Sequence, residues 1–442
     1  MRWFKYSAIS LGILLALALI LPFLIPLKTY IPPLEQLASD KLGEPVTIAD
    51  LSFSLLPLPS ATLHGLSIGK TQPIQVESIT VRPALGSLWQ EVKVLRAVEV
   101  KGFSVDRRML GLAGALAKPG DRGPQLVRVE HVKLRAMQLN LDVLKWGPLR
   151  ADIALHERGV EEVEAASEDG KFKLQLTPGS EKATQDLLIK AKDWPLPIKP
   201  AFQFEQLTAK GLLRQNTLNI SDIDGKLYGG KLAGKVDMDW TRDWKVTGEV
   251  QASNVETKEA VALLTRSVAV SGKLHTQGRF TLRAKEPKQL ADSLKGNFKF
   301  EVKQGVLHGF DLAQAVESKV LPGARSGTRG GQTRFDTFTG VAQISGKQYR
   351  LRQLKVASGA LSANGDVSVA ANQRLSGQVN VALTSVAGLA VPLDVSGTLS
   401  EPVLLPNAAA LAGAAAGTVL MGPGFGTGLG TKAGQALDEL FR

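Results

Sequence analysis

The chain of 442 residues contains no cysteine. Disulfides, thiolate nucleophiles and cysteine-ligated metal sites are therefore excluded, although an oxidising compartment is not, because a cysteine-free chain cannot mispair there. Aromatic residues make up only 6% of the sequence, whereas glycine occurs 44 times. This balance favours many turns and slender strands over a few large cores.

Catalytic motifs are also scarce. The five histidines do not form a metal-ligand pattern such as HExxH; they are His64, His131, His156, His275 and His308. The segment Ser67–Lys70 fits S-x-x-K, but its companion motifs are absent. There is no Walker A motif and no evident acid–base pair of carboxylates. We therefore expect no catalytic residues, metal or cofactor, and an envelope hydrolase is the least favoured function.

Positive charge exceeds negative charge, with a formal net charge of +12. Such an excess favours anionic partners, among them lipid head groups and nucleic acid, or belongs to a solvated surface without a partner. The basic residues are spread over alternating positions and are not gathered into runs with interleaved aromatics. We therefore do not expect the chain to bind nucleic acid.

One long segment has no charge at all. Ala8–Leu27 is apolar and lies between Lys5 and Lys28. About 20 such residues span a bilayer as a helix, and Arg2 and Lys5 before it predict a cytoplasmic N-terminus with the remaining chain exported. A cleaved signal peptide is the alternative, but its apolar region is normally shorter and ends in a small-residue cleavage site.

Strict alternation of apolar and polar residues predicts strands with one dry and one wet face. The segments 171–176 and 298–303 are the clearest cases. We predict that the apolar positions of such strands together line a continuous apolar face, although for any single residue an ordinary core position is the favoured alternative. The candidates are Phe172, Leu174, Leu176, Phe280, Leu282, Phe298, Phe300 and Val302.

Paired strands recur in the second half of the chain. The segments 234–250, 278–300 and 365–381 each contain a strand opened by glycine, a polar turn and a second such strand, which predicts repeated hairpins. A short helix is expected over Asp311–Lys319. The proline-rich segment Lys192–Pro200 suggests an internal boundary.

Four regions follow from these signals. They are a cytoplasmic stub with the membrane anchor (1–29), two β regions (30–199 and 200–406) and an Ala/Gly-rich tail (407–442). Small residues at a spacing of four, such as Gly413 and Gly417, are typical of closely packed helices. We expect the tail to contain a helix.

Four stretches together resemble the AsmA family of bacterial envelope proteins. The first is the N-terminal anchor, and the second is a strand, a proline-marked turn and a strand within Leu42–Gly69. The third is Leu294–Leu312, with its G-x-h-x-G-h-D-L element, where h is apolar. The fourth runs from Thr333 to Pro402. The stretch Glu157–Lys199 departs from this pattern.

The resemblance implies a long twisted antiparallel sheet of repeated hairpins, curled into an apolar groove and related to bridge-like lipid-transfer proteins. It implies an anchor in the bacterial inner membrane, a periplasmic body and phospholipid transport in outer-membrane biogenesis. The resemblance also implies glycerophospholipids as partners. The hydrophobic effect agrees with this, since each buried CH₂ of an acyl chain gains about 0.8 kcal/mol. The alternative is a non-enzymatic factor that assists outer-membrane protein or lipopolysaccharide assembly by contacting an envelope protein through sheet edges and loops such as Pro322–Gly331.

Overall fold

The computed structural model describes residues 27–70, 73–87, 89–106, 109, 127–141, 144–156, 159–181, 183–198, 200–264, 269–320, 331–385 and 390–407. Within these ranges it contains 22 β-strands and three α-helices. The expected mainly β fold with few short helices is therefore confirmed. The chain divides into two compact units between Lys190 and Ala191.

Ten strands precede or cross this division. They are β1 (Val46–Ser54), β2 (Ser60–Ile68), β3 (Ile74–Pro83), β4 (Lys93–Val105), β5 (Val127–Val129), β6 (His131–Leu141), β7 (Leu144–His156), β8 (Gly159–Ser167), β9 (Phe172–Pro178) and β10 (Thr184–Pro195). Antiparallel pairs join β1 to β4 in order, and β6 to β9 in order.

The first unit departs from antiparallel pairing at one place, where β4 runs parallel to both β5 and β6. A parallel neighbour requires the chain to return to the starting end of the strand before pairing. We expected antiparallel hairpins throughout the sheet, because hairpin signals in a sequence identify only strands joined by short turns.

Helix α1 (Ile31–Leu42) covers the side of β1 that does not face β2. Pro32 and Pro33 are tolerated in its first turn, where the N–H groups have no helical partner. The helix ends at Gly43, whose φ of 67° is favourable for glycine. Its apolar side packs against a cluster that includes Val46, Ile48, Leu66, Val76 and Phe103; the packing residues are Ile31, Leu34, Ala38 and Leu42.

Twelve strands form the second unit. They are β11 (Gln203–Arg214), β12 (Thr217–Leu227), β13 (Gly230–Asp239), β14 (Trp244–Glu256), β15 (Ala269–Ala284), β16 (Lys295–His308), β17 (Gln332–Ser345), β18 (Gln348–Ala357), β19 (Leu361–Val369), β20 (Leu375–Leu383), β21 (Ala390–Gly397) and β22 (Pro402–Pro406). Each pairs antiparallel with the next along the chain. The predicted hairpins are thus confirmed.

Two helices accompany these strands. Helix α2 (Thr257–Leu264) connects β14 to β15, and helix α3 (Leu312–Val320) follows β16. Helix α3 confirms the helix predicted over 311–319. The Asp311 carboxylate accepts a hydrogen bond from the Gln314 backbone N–H at 2.9 Å, as an N-cap residue does.

The sheet of the second unit is bent at alternate strands. Extra residues interrupt the register in β12, β14, β16 and β18. In three of these bulges one residue adopts a positive φ, namely Asn254, Gln304 and Gln353. Bulges increase local twist and bend the strand, so they allow a sheet of this width to curl.

The core of the second unit lies where the sheet and α3 meet. Leu312, Ala315 and Val316 of α3 are buried in one cluster with Val381 and Leu393, both of which are wholly inaccessible to solvent. Helix α3 contacts β17, β20 and β22. In a flat sheet β17 and β22 would be about 24 Å apart, so their contact with one helix requires the sheet to curl around it.

Three predicted features fall outside the described residues, and the first is the loop Pro322–Gly331 apart from Gly331. The membrane anchor over Ala8–Leu27 lies outside them except for Leu27, and the Ala/Gly-rich tail lies outside them except for Asn407. Across the ranges that are described, no helix combines the length and the apolar character needed to cross a bilayer.

Candidate functional site

One face of the second unit's sheet is apolar across all twelve strands. A single row of directly paired residues crosses it. The row reads Ala209, Ile223, Gly234, Val250, Gly278, Phe298, Ala342, Leu351, Val367, Gly377, Val395 and Leu404. We call the side of the sheet that carries this row the apolar face. It follows from period-two alternation, which places every second residue on one side.

The opposite side carries a matching polar row across β13–β20. Its members are Lys235, Glu249, Arg279, Asn297, Gln343, Arg350, Ser368 and Ser376. The carboxylate of Glu249 lies 3.2 Å from Lys235 Nζ and 2.5 Å from Arg279 Nε. The hydrogen bond with Lys235, reinforced by the charge of Arg279, lowers the pKa of the Glu249 carboxyl. This side is therefore a wet, charged surface.

Burial along the apolar face varies from residue to residue, and buried residues such as Leu227 of β12 and Val255 of β14 occur in the earlier strands as well as in the later ones. In the strands nearest β11, large side chains such as Ile220, Val236 and Phe280 are only half-buried. In the later strands, Val369 and Leu375 are buried. The half-buried aliphatic and aromatic side chains lie on adjacent strands, so they form a continuous apolar surface.

A cavity of about 180 Å³ lies against the later strands of this face. Its walls are apolar except for Asn364, and they include Val270, Leu307, Leu354, Val379, Val395 and Leu404. Leu307 in β16 and Leu404 in β22 would be about 29 Å apart in a flat sheet. Since both line one cavity, the apolar face is the inner side of the curl. Apolar cavities of about 150 Å³ stay dry and accept small apolar groups.

Gly234, Gly248 and Gly278, which we expected to open strands, lie inside β13, β14 and β15 instead. Gly248 is paired with Phe280, Gly278 with Phe298, and Gly340 with Phe300. A Cβ at Gly278 would come within 2.5 Å of the Phe298 ring. Side chains converge on the inner side of a curled sheet, so glycine provides the space that each phenylalanine ring occupies.

Five of the eight predicted face residues lie together in the second unit. Phe280 and Leu282 of β15 and Phe298, Phe300 and Val302 of β16 all occupy the apolar face. Their rings and chains are half-buried, except that Val302 is buried in the core cluster. Phe300 also packs edge-on against Phe338, with ring centroids 5.2 Å apart.

The other three predicted residues belong to β9 of the first unit. Phe172 is buried and contacts Trp146 edge-on at 4.6 Å between ring centroids. Leu174 and Leu176 are half-buried and pair with Ala165 and Val163 of β8. They share one side of β9 with Phe172 because their positions alternate.

Sequence reasoning missed the residues that line the cavity. Segments such as Leu375–Leu383 show the same alternation as the chosen strands, but their aliphatic residues are smaller and gave a weaker signal. Their convergence on one cavity depends on the curl of the sheet, which alternation alone does not specify.

No group of three or more histidine, aspartate or glutamate side chains is arranged to hold a metal ion among the described residues. The histidines that we considered are instead distributed over separate strands. For example, His64 lies in β2, where its Nε2 is 3.0 Å from Ser52 Oγ of the neighbouring strand.

Comparison with known proteins identifies the family of the chain. No curated protein and no solved structure matches it. The model of the AsmA family matches residues 1–111 and 198–352. These ranges include the anchor segment, the strand–turn–strand element and the Leu294–Leu312 element, and together they cover more than half of the sequence. The chain belongs to the AsmA family.

Proposed function

We propose that this protein binds glycerophospholipid through the apolar face and takes part in phospholipid transport during outer-membrane biogenesis. Residues 8–27 anchor it in the bacterial inner membrane, with the N-terminus in the cytoplasm and both β units in the periplasm. Membrane lipid is its principal partner, and the mechanism requires neither catalysis nor a cofactor.

The observation that carries the proposal is the apolar row across twelve strands. It is continuous, its members in β12–β19 are half-buried, and a polar row backs it on the other side of the sheet. An acyl chain laid along such a face loses contact with water, which contributes about 0.8 kcal/mol per CH₂. Family membership and the curl of the second unit add support.

Native mass spectrometry of the full chain, gently released from membranes, tests the proposal. We expect phospholipid to remain bound. Val236→Asp should reduce the bound lipid, because it puts a carboxylate on the apolar face, where an apolar ligand cannot solvate it. Lys231→Asp is the matched control, since it introduces the same side chain on the opposite side of the same strand, β13.

Detection of a folded chain without bound lipid in this experiment would contradict the proposal. Crosslinking in cells would then show whether the chain binds an envelope protein instead of lipid, as expected of a factor that assists outer-membrane assembly. Equal lipid loss in Val236→Asp and Lys231→Asp would show that the lipid is not held by the apolar face.

A further inference from the structure

Large apolar side chains are exposed at one end of the first unit's sheet. Trp89 is 86% exposed. Four others nearby are between 40% and 53% exposed: Leu56, Leu58, Leu85 and Val92. We call these five residues the apolar tip. Exposed apolar patches of this kind mark interaction surfaces in soluble domains.

Strand register shows that the apolar tip lies at a single end of the sheet. The turn between β1 and β2 follows the pair Ser54–Ser60, and the next pair along β2 joins Ala61 to Val81 near the end of β3. The segment between β3 and β4 follows the pair Pro83–Leu95. Both connections therefore leave the sheet at the same end, on neighbouring strands.

The segment that carries Leu85 and Trp89 is internally braced. The buried hydroxyl of Ser87 donates to the Ala84 carbonyl at 2.8 Å and accepts a hydrogen bond from the Val94 N–H at 2.8 Å. The Ala84 N–H also bonds to the Val94 carbonyl at 2.9 Å. These hydrogen bonds fix the backbone around Ser87, next to the exposed Leu85.

The described chain begins near this same end. Helix α1 runs antiparallel to β1, because the Val46 N–H bonds to Ser39 Oγ at 2.9 Å and the Ile48 N–H bonds to Glu35 Oε1 at 2.7 Å. At about 1.5 Å per helical residue and 2.0 Å per 3₁₀ residue, Leu27 lies about 20 Å beyond Ser39. That distance is about six residues of β1. Leu27 is therefore level with Ser52, close to the apolar tip.

We infer that the apolar tip rests in the surface of the bilayer in which residues 8–27 are anchored. Those 20 residues are apolar and end at Leu27, so the membrane-bound part of the chain approaches the sheet at the end that carries the tip. Tryptophan is favoured at the boundary between lipid and water, and leucine gains by entering the acyl region. Tyr30, which is also exposed beside this entry point, is a second interfacial residue.

The inference rests on the proposed membrane anchoring but not on lipid binding by the apolar face. It makes the end of the first unit's sheet a second contact with the membrane, in addition to the anchor. Lipid molecules of that leaflet would then lie against the ends of β1–β4.

Single-cysteine labelling tests this placement directly, because the chain has no cysteine of its own. The full chain is reconstituted in phosphatidylcholine nanodiscs as Trp89→Cys or Leu58→Cys, each carrying a nitroxide. Gln75→Cys is the control, since Gln75 is exposed at the opposite end of the same sheet. Accessibility to oxygen, which partitions into lipid, is compared with accessibility to a water-soluble nickel chelate.

We expect the nitroxides at positions 89 and 58 to be reached by oxygen and protected from the nickel chelate, with the opposite result at position 75. If the nitroxides at all three positions were equally accessible to the nickel chelate, the inference would be overturned. Protection from both reagents at the tip would also overturn it, because that result indicates a protein contact. Retention of the chain in washed nanodiscs reports on the anchor separately, and bound lipid in mass spectrometry reports on the apolar face.

Discussion

Glycine shapes the apolar face at the scale of single residues. On the inner side of the curl, a Cβ at Gly278 would come within 2.8 Å of the Phe298 Cα, and one at Gly340 would come within 2.7 Å of the Leu354 side chain. Backbone on a neighbouring strand cannot move aside as freely as a side chain. A strand glycine normally weakens a sheet, but here it allows neighbouring strands and phenylalanine rings to approach.

Replacement of Gly278 by alanine is expected to lower the free energy of unfolding by about 1–3 kcal/mol, as overpacking does. The added methyl group meets backbone atoms of β16 as well as the ring of Phe298. Gly359→Ala is the control, since no atom lies within 4 Å of the position that its added methyl group would occupy. Urea unfolding measures both. An equal, small effect of the two substitutions would contradict the role assigned to Gly278.

The side-chain oxygen of Thr333 connects β17 to the start of α3 by hydrogen bonds. This buried hydroxyl donates to the Phe310 carbonyl at 2.8 Å and accepts from the Leu312 N–H at 3.0 Å. Thr333→Val keeps the shape but leaves both groups unpaired, so we expect a loss of about 1–3 kcal/mol and faster amide exchange at the start of α3. Thr339→Val is the control, since its hydroxyl has no partner among the described residues. Unchanged exchange in α3 would contradict this role.

At the scale of elements, α1 protects an edge strand. Free edges of sheets expose N–H and C=O groups that invite pairing with other chains. Glu35 and Ser39 satisfy the N–H groups of Ile48 and Val46 on the side of β1 away from β2. Helix α1 therefore caps the free edge of β1 with side-chain acceptors in place of a neighbouring strand.

Glu35→Ala should expose the Ile48 N–H and destabilise the first unit by about 1–2 kcal/mol. Glu35→Gln keeps an acceptor oxygen and should restore most of that loss. Amide exchange at Ile48 and urea unfolding are the measurements, and β1 should also become more prone to intermolecular pairing in the alanine variant. If glutamine and alanine behaved alike, the hydrogen bond to Ile48 would not be the stabilising feature.

Elements with strong local signals were predictable from the sequence. Alternation over 298–303 identified β16, prolines marked the turn between β1 and β2, and the segment beginning at Asp311 identified α3. The hairpins of the second unit followed from the same signals, because each is made of neighbours in the sequence. Five of the face candidates consequently share the apolar face.

Features that depend on distant contacts were not predictable. The parallel pairing of β4 with β6 has no hairpin signal, and the cavity depends on the curl that brings Leu307 near Leu404. The apolar tip was also missed: Leu56 and Leu58 were interpreted only as part of a proline-marked turn. Their exposure depends on the absence of any covering element among the described residues, and that cannot be deduced from a local pattern.

At the scale of the whole molecule, the proposed function gives charge and apolar surface different roles. The net charge of +12 attracts anionic membranes over long distances, and salt screens such attraction. The Debye length falls from about 10 Å at 0.1 M to about 3 Å at 1 M ionic strength. Burial of acyl chains on the apolar face does not depend on this long-range attraction.

Salt should therefore slow the capture of lipid without reducing the amount bound at equilibrium. With the full chain in phosphatidylcholine nanodiscs and fluorescent phospholipid supplied from anionic vesicles, we expect the rate to fall several-fold as ionic strength rises, and the final stoichiometry to stay constant. Neutral donor vesicles provide the control, since their rate should change little. A stoichiometry that falls with salt would mean that head-group charge, and not the acyl chains, holds the lipid, because only an interaction between charges is weakened by screening.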